Sequence, residues 1–230
     1  EKLLEGAFGR GEGLVRIFIT HTHWDHIQGL PFFKPIYIPG NKLEFYAPYE
    51  SLEYRLIQQM EHRYFPVDLH KTASTKSFHQ IHPGVPVSME DNLHVDCHPL
   101  KHPGGSYAYR FREGDKSFVF CTDTEFTGEI LEKQEDETDF FRDADLMVID
   151  SQYTLDESFL KFSWGHTCYT VAVNCAVRWR VKNLVLTHHE PSYSDEQLLS
   201  IHQQAILHRN QMRTTSPKIY MAREGTAFRL

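Results

Sequence analysis

Short apolar, β-rich runs alternate along the chain with stretches whose apolar positions recur at helical spacing. Runs at Leu14–Ile19, Leu43–Tyr46, Leu93–Cys97, Tyr107–Phe111, Ser117–Cys121, Leu146–Ile149, Leu184–Leu186 and Lys218–Met221 read as strands. The tripeptide EGD at Glu113–Asp115 is a hairpin signal between two of them. Three helices stand out. Glu50–Tyr64 is amphipathic, and within His166–Trp179 the residues Cys168, Val171, Ala172, Cys175, Ala176 and Trp179 share one face. A third helix starts at Ser194, with Gln197 three residues on as a capping-box partner. Alternating strands and helices predict one α/β domain over residues 1–230.

Composition narrows the class. Of 230 residues, 24 are Lys or Arg and 31 are Asp or Glu, for a net charge of −7. A surface so charged does not attract nucleic acid as a whole, although a local basic groove is compatible with it. No apolar run approaches membrane-spanning length, so no membrane partner is expected. The four cysteines form no CxxC pair and sit in apolar stretches, which reads as buried reduced thiols. No signal peptide or lipidation motif is visible, and a cytoplasmic location is expected. The charge run Glu132–Asp139, EKQEDETD, reads as a solvated loop or helix end.

The 15 histidines are the unusual number. Three of them fall with an aspartate in THTHWDHIQG, Thr20–Gly29, straight after the first strand. Such a cluster is costly to hold together unless something compensates it, and a metal ion is the obvious candidate. Polar residues recur at the same kind of place elsewhere: Asp123 follows SFVFCT, Asp150 ends LMVID and His188 follows LVLT. The carboxyl ends of strands are where ligand sites collect in α/β sheets. In an extended segment His21 and His23 share a face, and a helical turn after them would swing Asp25 and His26 to a second position. Imidazoles with one or two carboxylates suit Zn²⁺ first, with Mn²⁺ or Fe²⁺ as alternatives.

HTHWDH, read as His-x-His-x-Asp-His, resembles the signature of the metallo-β-lactamase fold superfamily. An isolated His102 in KHPGG, Asp123 in CTDTE and His188 in LTHHEP follow in that family's order. The resemblance implies an αββα sandwich and two divalent ions. It implies His21, His23 and His102 on one ion, Asp25, His26 and His188 on the other, and Asp123 bridging them. WGHTCYTVAVNCA, Trp164–Ala176, is similar to the His-Ser/Thr helix start of the phosphodiesterase branch, which includes tRNA 3′-processing endonucleases and small cyclic-phosphate phosphodiesterases. In that branch a carboxylate on the preceding strand orients the histidine, and Asp150 stands where it is expected. His166 would then stabilise charge on the phosphate oxygens or protonate the leaving alkoxide.

The resemblance therefore implies hydrolysis of a phosphodiester, a small cyclic nucleotide or cyclic sugar phosphate, by metal-bound hydroxide oriented by Asp25 and Asp123. Thioester or lactone hydrolysis on the same centre, or a non-catalytic metal-binding sensory module, are the alternatives. Without an inserted arm rich in Gly and Lys/Arg, and with net charge −7, tRNA is not the expected substrate. Only 20 residues precede His21, so the usual N-terminal strands are expected to be absent from the chain as given, or a partner subunit, as in a homodimer, to cover the gap. His188 is favoured over His189 as ligand. His62, His70, His79, His82, His94, His202 and His208 read as surface or satisfied core residues, and His98 is left open. Trp24 and GLPFF, Gly29–Phe33, read as packing beneath the site.

Overall fold

The computed structural model describes residues 2–132 and 136–230, and the chain divides into two units, Glu1–His82 and Pro83–Leu230. In the first unit the apolar run after Gly13 forms β1 (Leu14–Phe18), followed by a single helical turn, α1 (Trp24–Ile27). Then come β2 (Lys42–Ala47), α2 (Leu52–Gln59) and β3 (Thr75–Gln80). The three strands are parallel, in the order β1-β2-β3. Leu43 and Phe45 of β2 and Leu52 and Leu56 of α2 are buried with Ile36, Met60 and Leu69 in one core. β3 escapes a pattern search because Phe78 is its one large apolar residue, yet that ring stacks on Phe45 at 5.2 Å. The amphipathic helix is shorter than Glu50–Tyr64, since Met60 leaves helical backbone and is itself buried. Trp24 and Phe32, expected beneath the site, are instead 70% and 74% exposed, because the turn of α1 and the 3₁₀ turn Leu30–Phe32 place them on the outside.

The second unit begins with β4 (Val87–Ser88) and β5 (His94–Leu100). β6 (Ser106–Glu113) and β7 (Lys116–Cys121) form the expected hairpin, joined through Gly114 and Asp115, with Glu113 paired to Lys116. After β8 (Leu146–Asp150) come α3 (Leu155–Leu160), α4 (Tyr169–Arg178), β9 (Asn183–Thr187), α5 (Asp195–Gln211) and β10 (Lys218–Met221). One sheet holds all seven strands in the order β10-β9-β8-β7-β6-β5-β4. Its first half is antiparallel, and β7 through β10 are parallel. Parallel neighbours need crossover connections; α4 lies in the one from β8 to β9 and α5 in the one from β9 to β10. The predicted face of α4 is the buried one, with Ala172, Cys175, Ala176 and Trp179 in the core against Met147, Ile149 and Leu184.

The capping box at Ser194 and Gln197 is formed in both directions. α3 carries the same box at Thr154 and Glu157, a signature present in TLDE and passed over in the pattern. All four cysteines are buried and unbridged. Burial pushes the Cys97 thiol up to about 12, so it stays protonated at neutral pH. The run Glu132–Asp139 lies partly outside the described residues, at 133–135. Among the described residues no helix is long and apolar enough to cross a membrane.

The start of β8 is locked by Asp145, which accepts hydrogen bonds from the Ser117 amide at 2.8 Å and from Lys182 Nζ at 2.7 Å. Burial pushes the carboxyl up, but these two donors outweigh it and hold Asp145 below the usual carboxylate range. The folded state therefore favours the ionised form. That contribution is fully present above the unfolded value of about 3.9 and is lost as pH falls through the lower folded value. Asp145→Ala, which strands the Ser117 amide, is expected to cost about 1.5–3 kcal/mol in urea unfolding at neutral pH, with the gap to wild type narrowing below about pH 4.

Candidate metal centre

In the first unit β1 ends at Phe18 and the chain stays irregular to His23, so the polar cluster begins where ladder hydrogen bonding stops. The Thr20 carbonyl accepts from the Tyr49 hydroxyl at 2.6 Å, and Thr22 Oγ1 accepts from Arg55 Nη1 at 3.1 Å. Those two bonds brace the loop from the β2–α2 connection and from α2. His21 is buried and meets Thr20 Oγ1 through Nδ1 at 3.1 Å. Its ring lies 4.5 Å from that of His23, edge-on, and 4.2 Å from that of His26. α1 begins directly after His23 and brings Asp25 Oδ2 to 3.2 Å from His26 Nε2. Three imidazoles and a carboxylate are thus gathered at one strand end.

In the second unit topology does the gathering. β7, β8 and β9 are adjacent and parallel, so their carboxyl ends share an edge, and β5 runs in the same direction two strands away. Asp123 follows β7, Asp150 closes β8, His188 follows β9 and His102 follows β5. Asp123 Oδ2 lies 3.2 Å from His188 Nε2 and 3.8 Å from His102 Nε2, which puts one carboxylate oxygen between two imidazoles. His188, rather than His189, is the member of its pair at this carboxylate. Asp123 and His188 both have left-handed backbone, φ 56° and 57°. For residues other than glycine that conformation costs about 1–3 kcal/mol each, a strain that gathers at functional sites.

His166 stands at the same edge. Its Nδ1 is 2.8 Å from Asp150 Oδ2, and its ring stacks on His188 at 4.8 Å. Asp150 is fully buried, and burial pushes its carboxyl up. The His166 hydrogen bond and charge, the charge of His188 and the Thr124 amide at 3.1 Å on Oδ2 pull the other way, and Oδ1 accepts from the Gln152 amide at 3.1 Å.

Gly165 and Glu125, which the motifs did not single out, and Thr167 of the His-Ser/Thr motif hold these groups in place. Gly165 accepts a hydrogen bond at its carbonyl from His102 Nδ1, at 2.9 Å. A carbonyl only accepts, so Nδ1 carries the hydrogen and the Nε2 lone pair is turned toward Asp123. At φ +92° the position favours glycine, and a Cβ there would meet His102 Nδ1 at 2.4 Å and Pro103 Cδ at 2.3 Å. The buried carboxylate of Glu125 accepts from the Gly165 amide at 3.1 Å and from Lys101 Nζ at 3.1 Å. Thr167 donates to the Thr124 carbonyl at 2.5 Å and accepts from the Phe126 amide at 3.0 Å. The glycine before His166 and the second carboxylate of CTDTE were the available signals. Neither says which partner it meets.

The remaining histidines divide as expected. His202 Nε2 meets the Ile219 carbonyl at 2.9 Å, and His208 Nε2 meets Asn174 Oδ1 at 2.7 Å, both satisfied structural roles. His98, left open above, stacks on Phe140 at 5.1 Å. The donor set itself suits a divalent cation: donor atoms of His102, Asp123 and His166 lie within 4.8 Å of one another, as do those of Asp150, His166 and His188.

A domain family described as "Beta-lactamase superfamily domain" matches residues 6–189. Ribonuclease Z of Prochlorococcus marinus (strain MIT 9515) is 26% identical over 243 residues, covering 81% of this chain and 74% of the relative. Among solved structures, the metallo-beta-lactamase fold protein YhfI from Bacillus subtilis superposes with a TM-score of 0.66 at 19% identity, over 92% of this chain and 75% of that one. A diphosphatase from the PhnP family does so with a TM-score of 0.64 at 21% identity, over 98% and 76%. At these identities the likeness shows the fold, which is the metallo-β-lactamase fold expected from the motifs.

Gly165→Ala is expected to push the His102 ring off its line and to weaken zinc binding by about 10- to 100-fold, the usual size of an effect exerted through a ligand's hydrogen-bond partner. Competition with a chromophoric chelator measures it. An affinity equal to wild type would show that His102 does not depend on Gly165.

Proposed function

The chain belongs to the beta-lactamase superfamily and is a metal-dependent hydrolase, and we propose that the bond it cleaves is a phosphodiester. The observation that carries this reading is the His166–Asp150 pair, 2.8 Å long, with its carboxylate fully buried and its imidazole stacked on His188. A hydrolase acting on a thioester or lactone has less need of a second, carboxylate-held imidazole beside its metal ligands. Phosphoryl transfer uses one, because negative charge accumulates on the phosphate oxygens and on the leaving alkoxide.

The metal assignment we propose is two divalent ions, zinc by donor type. His21, His23 and His102 would hold one ion, Asp25, His26 and His188 the other, and Asp123 would serve both. Support comes from the order of these residues in the sequence, from the crowding of His21, His23 and His26, and from the place of Asp123 Oδ2 between His102 and His188. Bound divalent ions supply Lewis-acid charge for the phosphoryl oxygens and lower the pKa of water. The chain's own residues do the rest. Asp150 fixes the ring plane of His166 and occupies Nδ1, which leaves Nε2 as the atom that hands a proton to the departing oxygen. Gly165 and Glu125 hold His102 in one tautomer and orientation.

Two substrate classes have support, a small cyclic phosphodiester and RNA. Net charge favours the small diester. The relative named Ribonuclease Z favours RNA and counts against excluding tRNA. Fold alone does not choose.

Bis-p-nitrophenyl phosphate should be hydrolysed by metal-free protein reloaded with zinc, manganese or iron. In His166→Ala, kcat should fall by about 10²- to 10⁴-fold with metal content unchanged. A variant as fast as wild type would remove His166 from the chemistry. Parallel assays with 2′,3′-cyclic nucleotides and with a tRNA precursor decide the substrate class.

A further inference from the structure

Beside His166 the second unit contains a cavity of about 310 Å³, at the small end of ligand-sized pockets and enough for one ring system rather than a chain. Its walls are mostly apolar and include Phe126, Leu155, Phe159, Phe162 and Val171. Phe159 and Phe162 are 74% and 65% exposed, large apolar side chains held at the surface. Contiguous exposed apolar side chains of this kind mark a contact surface. α3, which carries two of the walls, is anchored firmly. Its capping box is complete, and the Tyr193 hydroxyl donates to the Glu157 carboxylate of that box.

Charge decides what such a cavity can take. Lys161, on its wall, is 3.0 Å from Glu190, and Lys101, whose ammonium lies 5.4 Å from the Phe162 ring, is 3.1 Å from Glu125. Both cations already have carboxylate partners, which favours an occupant without a second phosphate. Aromatic faces select a flat ring, and Ser158 on the wall, whose hydroxyl donates to the Leu155 carbonyl, keeps a lone pair that can accept from a ring N–H. His166 lines the same cavity. Whatever fills it therefore sits against the residue proposed above to serve the leaving group.

We propose that this cavity is a subsite for a nucleobase carried on the leaving group of the phosphodiester, with Phe162 and Phe159 as its stacking faces. The assignment to the leaving group rests on the phosphodiesterase reading above. It makes the enzyme selective for diesters whose departing alcohol is a nucleoside over those that release a small aliphatic alcohol.

The test is calorimetric titration of the zinc-loaded protein with adenosine and, separately, with ribose. Wild type is expected to bind adenosine and not ribose. Phe162→Ala, a change at an exposed residue, should weaken adenosine roughly tenfold or more, the size of one base–aromatic stack. Val171→Trp should fill the cavity and abolish binding. The KM for bis-p-nitrophenyl phosphate should rise in both variants more than kcat falls. If wild type does not bind adenosine, or both variants bind it as wild type does, the subsite is overturned, while the His166→Ala comparison still tests the phosphodiesterase reading by itself. Adenosine binding by a protein that turns over no diester overturns the leaving-group assignment. A dimer that dissociates in Phe162→Ala on sedimentation, with no adenosine bound by wild type, gives the aromatic patch to a second copy and overturns the proposal as well.

Discussion

The buried carboxylate of Asp150 is the interaction on which the second unit's site depends. Its Oδ2 receives the Thr124 amide and the His166 ring, and its Oδ1 receives the Gln152 amide. One group thereby ties the loop that carries Asp123, the end of its own strand and the imidazole proposed to serve the leaving group. A carboxylate removed from water is costly unless its lone pairs are satisfied, and this one collects three hydrogen bonds. The cost of burying it fixes the geometry, because any displacement of the three segments leaves a buried anion short of partners.

Sheet topology makes that convergence possible. Three parallel neighbours, β7, β8 and β9, must end at one edge, and each is closed or followed within two residues by an imidazole or carboxylate side chain. Two of the connecting positions, Asp123 and His188, hold left-handed backbone that a side chain disfavours. The strain is tolerated because the strands beneath are rigid: Val119, Cys121, Ile149 and Leu186 are all buried in one core with α4 and α5. Strain placed on such a support keeps side chains pointed at a site rather than relaxing away from it.

Much of this was legible in the chain. Apolar runs announced eight of the strands because half- or fully buried strands must be apolar. β3 was hidden because its pairing relies on backbone bonds and one stacked ring, Phe78 on Phe45. The ligand-type residues could be named because imidazoles and carboxylates at strand ends are rare without a use. Glu125 and Gly165 were illegible as supports, and Thr167 was visible only as the Thr of the His-Ser/Thr motif, without its partners. Their effect lies in contacts across 24 to 63 residues of sequence, which no local spacing encodes: Lys101 to Glu125 is short by comparison with His102 to Gly165. Trp24 and Phe32 were misread for the opposite reason, since hydrophobicity alone does not say on which side of a turn a ring falls.

The sequence by itself determined the kind of chemistry, because the identity of donor atoms is a covalent fact and their order matches one family. It also determined the alternation of elements, through periods of two and 3.6 that water imposes on any chain with a core. Tertiary structure decided orientation: which nitrogen of His102 carries the hydrogen, which histidine of the 188–189 pair meets Asp123, and which wall of His166's surroundings is apolar. Those choices depend on hydrogen-bond partners and neighbours brought together by strand order. Such contacts form only when the sheet closes over its core, and no stretch of the chain contains them in advance.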